Sequence, residues 1–325
     1  DSTLSPDARK LLSFTDNRQD ASLQAGHFND FAQVSLLRSA LYKATATKGS
    51  VGLSHADLTT SVFNAMDLDF DDYASDPNIR GPARESTKDA LRKVIQYFLY
   101  RDLKRGWRVT APNLEDCGLL KFDYEGLLGN DGLLNEDELW ESGFERTVPG
   151  QNQYIETPVP LQNATLEIRE EILRTFLDVL RRGLALKVDV LLKREQQHLL
   201  DETNPRIAEH TVWYLREVRD LAASEVAFPR SRQSNEHTGP LFISSYTAFG
   251  RYLRRSLQEF VPENFHFKRE AVDEVIRFIF FALQRYGILE QVRSGDIPGF
   301  QINPAALRWI AGDGEIKPVD NTRLI

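Results

Sequence analysis

Sulfur is the scarcest element of this sequence: Cys117 is its single cysteine and Met66 its single methionine. An internal disulfide is therefore impossible, and a cysteine-rich zinc site is excluded within the chain. With Leu119 and Leu120 beside it, Cys117 reads as a buried thiol. No basic start followed by an apolar run marks a secretory leader. No stretch approaches the roughly 20 apolar residues needed to cross a bilayer. Beginning at Asp1 rather than at methionine, the chain reads as a cytoplasmic piece of something longer, with no membrane partner. Chemical signatures are missing too. There is no G-x-x-x-x-G-K-[ST] loop to cradle phosphates and no acidic Asp-Glu-Ala-Asp or Asp-Glu-Ala-His tetrad to hold magnesium. The histidines, His27, His55, His198, His210, His237 and His266, show no H-E-x-x-H spacing, and no G-x-S-x-G elbow occurs. These absences argue against a catalyst that works alone.

What is present is ordinary globular material: 325 residues, 41% hydrophobic and 27% charged, enough for two or three units with real cores. The formal net charge of −8 argues against a simple nucleic-acid coat protein. The signs are segregated, however. Arg84, Lys88, Arg92, Lys93, Arg101, Lys104, Arg105 and Arg108 face only Glu85, Asp89 and Asp102 in the same stretch. The next stretch, from Glu115 to Glu141, is strongly acidic and reads as solvated surface, with a partner or autoinhibitory role as the alternative. A nucleic-acid site needs a local positive field rather than a positive total. The acidic run 67–72 has alternating carboxylates, but Asp72 and Asn78 stand where a calcium loop needs glycine and glutamate, so it reads as a solvated loop.

Periodicity predicts a mainly α chain. Residues 1–50 read as a short strand over Lys10–Phe14, a polar turn with Asp16 and Gln19 as a capping box, and a helix carrying Leu23, Phe31, Val34, Leu37 and Leu41 inward. Residues 51–160 read as a winged-helix-like unit: a helix capped by Ser54, a helix over Ser86–Lys104 stopped by Gly106, and a strand over Leu119–Tyr124. The Gly-, Asp-, Asn- and Glu-rich stretch 126–150 then reads as loop or linker with one short amphipathic turn near Leu139 and Trp140. Residues 161–238 read as a long-helix connector, with one helical pattern over Leu166–Leu200 and another begun by Asn204-Pro205 and carrying Trp213, Leu215, Val218 and Leu221. Residues 239–325 read as a second winged-helix-like unit. It comprises helices over Tyr246–Phe260 and Lys268–Tyr286, Gly287 at C′, and a strand–turn–strand through Ile302.

Two segments carry a family resemblance. Phe14-Thr15-Asp16-Asn17-Arg18-Gln19-Asp20-Ala21, with Gln24-Ala25-Gly26 and Asn29-Asp30-Phe31 behind it, resembles motif IV in the second RecA-like domain of superfamily 2 DEAD/DEAH-box helicases. It is similar in particular to the large bacterial type with a cysteine cluster near its C-terminus. The run Leu99–Val109, continuing through Pro112–Glu115 and Cys117–Leu120, is similar to the insert that follows in such proteins. The first match covers about twenty residues; order rather than motif supports the remainder. The resemblance implies a short α/β piece of a RecA-like domain at the N-terminus, then an accessory insert of an ATP-dependent DNA helicase of repair or phage defence. It implies ATP and magnesium for the parent protein, neither of them held by this chain. Single-stranded or forked DNA and the remaining helicase domains are the implied partners.

Three groups of residues are candidates for nucleic-acid contact. By the resemblance, Asn17 and Arg18 face phosphates at a helix start, where amides and dipole favour anions; the alternative is that they only cap the helix. Arg101, Lys104, Arg105, Trp107 and Arg108 combine cations with an aromatic that could stack on a base, or else satisfy a helix C-terminus and the core. Arg251, Arg254 and Arg255 share one helical face, and Lys268 and Arg269 open the next helix. Winged helices place such residues against duplex backbone, but they also serve as spacers and docks. The competing function is thus a protein-interaction or autoinhibitory docking module with no nucleic-acid contact.

Overall fold

The computed structural model describes residues 18–104, 112–129, 131–148, 151–234, 239–263, 267–294 and 297–315, with side chains in the first helix described from Phe31 onward. The expected strand over Lys10–Phe14 and the capping box at Asp16 lie outside these residues. The described residues are mainly helical, with nine α-helices and eight strands, and no helix among them is long and apolar enough to cross a membrane.

Helices α1 (Arg18–Lys48), α2 (His55–Met66) and α3 (Pro82–Arg101) pack together. Ser54 caps α2, its Oγ accepting from the Asp57 amide at 3.1 Å. Between α2 and α3, Asp69 and Asp72 close a capping box on a single 3-10 turn. Helix α3 starts at Pro82, where the missing N–H costs nothing, and ends at Arg101, so Lys104 lies beyond the helix that the periodicity extended to it. Strand β1 (Leu120–Tyr124) pairs antiparallel with β8 (Leu307–Ala311), far away in sequence, from Leu120 opposite Ala311 to Tyr124 opposite Leu307. Trp309 on β8 is 1% exposed and stands edge-on to Tyr100 at 5.5 Å and Phe122 at 5.0 Å. Cys117, expected to be buried, is only half-buried, because it sits in the turn before β1 rather than on it.

Three expectations are corrected. The Gly- and Glu-rich stretch after Gly126 is not a linker. Leu127, Leu133, Leu134, Leu139 and Trp140 are buried there, and helix α4 (Asp137–Glu141) leads into a hairpin of β2 (Gly143–Val148) and β3 (Gln151–Glu156). Scattered leucines anchor what the composition makes look like coil. The 166–200 pattern is also two helices. After α5 (Val159–Asn163), α6 runs over Leu166–Arg182, and α7 starts only at Lys193 and ends at Thr203. Between them Leu184, Ala185, Leu186, Val188, Val190 and Leu191 are all buried. The backbone there turns to Ile302 instead of continuing the helix: the Lys187 amide donates to the Ile302 carbonyl at 3.0 Å and the Ile302 amide to the Ala185 carbonyl at 2.7 Å. Finally, Asn204-Pro205 ends a helix rather than beginning one: the Asn204 amide donates to Leu200 at 2.9 Å. Trp213 and Leu215 reach the core from irregular chain.

The C-terminal part forms in the order read from the sequence. Short strands β4 (Ala227–Phe228) and β5 (Leu241–Phe242) precede α8 (Ala248–Leu257) and α9 (Arg269–Arg285). The chain then turns at Gly287, with φ of +68°, into the hairpin of β6 (Leu289–Ser294) and β7 (Ile297–Ile302). The sheet order is β5-β4-β7-β6. Phe176 meets Phe249 at 5.2 Å and Phe280 at 4.9 Å, and Phe280 meets Phe300 at 5.0 Å, so one aromatic column joins α6, α8, α9 and β7.

Candidate nucleic-acid interface

The residues Ser244-Ser245-Tyr246-Thr247 set the start of α8. Thr247 Oγ1 accepts from the Gly250 amide at 3.2 Å and donates to the Ser244 carbonyl at 2.7 Å. A Cβ on Gly250 would lie 2.2 Å from that carbonyl, so only glycine lets the helix start fold back on Ser244 and Ser245. Both the amide and the hydroxyl of Ser245 donate to Asp273 on α9, at 2.7 and 2.9 Å. This clamp fixes the two helix starts side by side. The amphipathic period then does the rest: Phe249, Leu253 and Leu257 go inward, and Arg251, Arg254 and Arg255 go outward.

Between the two helix starts lies a cleft of about 200 Å³ lined by Ser245, Tyr246, Arg251, Arg254, Arg269 and Val272. Three of the predicted cations are thus brought to one place. Tyr246, which sequence reasoning did not single out, is 59% exposed there. The Arg269 guanidinium lies over its ring at 4.6 Å and donates to its hydroxyl at 3.3 Å, while Arg251 donates to its carbonyl at 2.8 Å. The available signal was an aromatic wedged between two serines and a capping threonine immediately before an arginine-rich helix. Arg255 and Lys268 are exposed on the same two elements, outside the cleft lining. Among the described residues none of these five cations forms an ion pair with a carboxylate.

The second half of α9 is not open. The β2–β3 hairpin lies over it: the Arg146 guanidinium sits 4.0 Å above the Phe281 ring, and its Nη2 donates to Gln284 at 3.5 Å and to Gln291 of β6 at 3.1 Å. Arg285 reaches back to the Glu145 carbonyl at 3.3 Å and to Glu136 at 3.6 Å. Of the other exposed positions on α9, Glu270 and Glu274 are acidic and Arg269 and Arg277 basic.

The cations at the end of α3 are used differently. The Arg101 guanidinium packs over Phe98 at 4.3 Å and Tyr97 at 5.5 Å, and reaches Gln33 at 3.5 Å. Lys104 is exposed, and together with Lys193 it pulls against the burial that raises the Glu225 carboxyl. Asp102 accepts from two of the three guanidinium nitrogens of Arg38, Nη2 at 2.8 Å and Nε at 2.9 Å. Arg105, Trp107 and Arg108 lie outside the described residues, as does Asn17, and Arg18 begins α1.

A buried charge cluster holds β1 to α6. Arg181, fully buried, grips Glu115 through Nη1 at 2.9 Å and Nη2 at 2.6 Å, touches Asp178 at 3.0 Å and the Tyr124 hydroxyl at 3.2 Å, and lies 3.8 Å over Phe122. Arg182 adds a bond to Glu115 at 2.7 Å. Burial alone would raise the Glu115 carboxyl, but the two guanidiniums outweigh it and hold it at about 2. Every group in the cluster is spent on another, so it reads as a structural tie.

Among the described residues no group of His, Cys, Asp or Glu could hold a metal ion. No family model, no curated protein and no solved structure matches this chain.

Proposed function

We propose that this chain is a nucleic-acid-binding accessory unit of an ATP-dependent DNA helicase, with α8, α9 and the β6–β7 hairpin acting as a winged-helix-like module. The carrying observation is the cleft at the two helix starts: Arg251, Arg254 and Arg269 converge there beside an exposed tyrosine with no carboxylate partner. Guanidiniums in that setting fit phosphate oxygens, and helix starts add their amides and dipoles. The helicase parentage rests on the resemblance of the segment Phe14–Ala21. ATP hydrolysis, with its magnesium, belongs to other parts of the parent, because the sequence has no phosphate loop or acidic tetrad. The unit guides or separates strands while the motor works.

The test is fluorescence anisotropy with a labelled forked DNA at about 0.1 M salt. The variant Arg251→Glu/Arg254→Glu/Arg269→Glu is expected to weaken binding at least roughly tenfold, each lost phosphate contact adding to the deficit. Arg101→Glu/Lys104→Glu is expected to change it little, because Arg101 packs on aromatic rings. Absence of binding, or binding indifferent to the first variant, defeats the reading.

One observation favours a second reading, a docking module for a protein partner. The hairpin covers half of α9, and on the remainder Glu270 and Glu274 offset Arg269 and Arg277, a surface poorly made for duplex DNA. Under that reading the triple charge reversal leaves DNA binding absent before and after.

A further inference from the structure

We infer that the α8–α9 cleft holds one unpaired nucleotide of a single strand, its base against Tyr246 and its phosphates on Arg251 and Arg254. The inference rests on the nucleic-acid reading above and narrows it from nucleic acid in general to a stacked, unpaired base.

Three observations lead there. The first is size and lining. About 200 Å³ is room for a nucleobase and little more, and the cleft has an apolar side, Tyr246 above the buried Val272, facing a cationic rim. A site that takes only phosphate does not need an apolar wall. A site for a nucleotide needs both, because the base has a π-face to desolvate and the backbone a charge to neutralise. The second is the state of Tyr246. It is 59% exposed, as Tyr154 is at 52%, but Tyr246 is held in place by its neighbours. Arg269 is stacked over it and hydrogen-bonded to its hydroxyl, Arg251 holds its carbonyl, and its neighbour Ser245 is clamped to Asp273. The ring is therefore pre-positioned, which lowers the ordering cost of stacking a base on it. The third is what α9 cannot do. A helix that reads duplex DNA enters the major groove with a clear face. Here Arg146 and the β2–β3 hairpin lie over Phe281, Gln284 and Gln291, and the remaining exposed face is no basic strip, since Glu270 and Glu274 share it with Arg269 and Arg277. The open surface is the pair of helix starts, which suits a strand end or a frayed strand.

The experiment compares a labelled oligothymidylate, a strand of equal length carrying abasic sites throughout, and a blunt duplex. All are titrated with the full chain at about 0.1 M salt. The wild-type protein is expected to bind the thymidylate roughly tenfold more tightly than the abasic strand or the duplex. Tyr246→Ala is expected to lose that preference while binding the abasic strand as the wild type does, and Tyr246→Phe to keep it. Tyr246 is an exposed residue, so neither change opens the core. Equal affinity for thymidylate and abasic strands, with Tyr246→Ala without effect and Arg251→Gln/Arg254→Gln still weakening both, overturns the base site but leaves the nucleic-acid interface standing. Tighter binding to duplex overturns it in the same way. No binding to any of the three overturns both readings. Tighter binding of a polyglutamate peptide that depends on the same arginines does so as well.

Discussion

Glu115 carries more of this fold than any other exposed-looking acid in the sequence. It opens a run that composition assigns to solvated surface, yet Arg181 and Arg182 take both its oxygens. Its carboxyl is held at about 2, against an ordinary 4.5. In the window between those values the unfolded chain binds the proton and the folded chain does not, so acidification favours unfolding. The stabilisation is full above about pH 4.5 and is lost as pH falls towards 2. Glu115→Gln should cost about 3 kcal/mol by urea denaturation at neutral pH, since it strands a buried guanidinium. It should also flatten the stability curve across that acid window. His55 acts higher on the scale. Its Nδ1 is 2.6 Å from the Tyr100 hydroxyl, and burial lowers its pKa from 6.5 against an opposing pull from Asp189. Stability should therefore begin to fall as pH drops through about 6.5. A His55→Gln protein should lack that first decline in a pH series of thermal melts.

At the scale of elements, the start of α8 is set by one glycine. Gly250→Ala places a methyl group 2.2 Å from the Ser244 carbonyl and 2.7 Å from the Ser245 Cα, both backbone atoms that cannot step aside alone. The helix must shift, and Asp273 loses its aim on Ser245. The expected cost is about 1–3 kcal/mol in denaturant titration, with DNA affinity falling because Tyr246 and the arginines no longer face one cleft. Such elements show how far the sequence can be read. Helices α2, α3, α8 and α9 follow their stripes, and Ser54 and Gly287 announce boundaries in local chemistry. The periodicity, however, starts α3 at Ser86 and α8 at Tyr246, whereas α3 starts at Pro82 and α8 behind its cap Thr247. The β2–β3 hairpin does not announce itself, because its stability comes from Trp140 and Phe144 packing on Phe278 of α9, 5.9 and 5.7 Å away. The break after α6 is equally hidden, since a fully buried strand and a buried helix have the same apolar composition. At the site, the arginine spacing on α8 was legible. Tyr246 was not, because its exposure depends on the clamp between Ser245 and Asp273.

For the whole molecule, two long-range facts compete. The core is continuous from Leu37 on α1 to Trp309 on β8, so its ends are energetically coupled. Trp309→Ala should accordingly cost about 3–5 kcal/mol, and tryptophan fluorescence and far-ultraviolet circular dichroism should shift together rather than in separate steps. Charge is the second fact. The chain carries −8 overall, yet its candidate interface is a patch of three guanidiniums. A polyanion therefore meets repulsion at long range and attraction only at contact. Two phosphate contacts, on Arg251 and Arg254, at about 0.7 each on a single strand give a slope of log affinity on log salt of about −1.4, shallow for a nucleic-acid-binding protein. Arg251→Gln and Arg254→Gln should each reduce that slope by about 0.7. The association rate should go the other way. Between 0.01 and 0.1 M salt the screening length falls from about 30 to 10 Å, which removes the repulsion of the acidic body before it weakens the contacts. Stopped-flow association with single-stranded DNA should thus speed up over that range while equilibrium binding weakens. A rate that falls steeply from the lowest salt onward would mean that the field the strand meets is basic, and that the contact surface extends well beyond Arg251, Arg254 and Arg269.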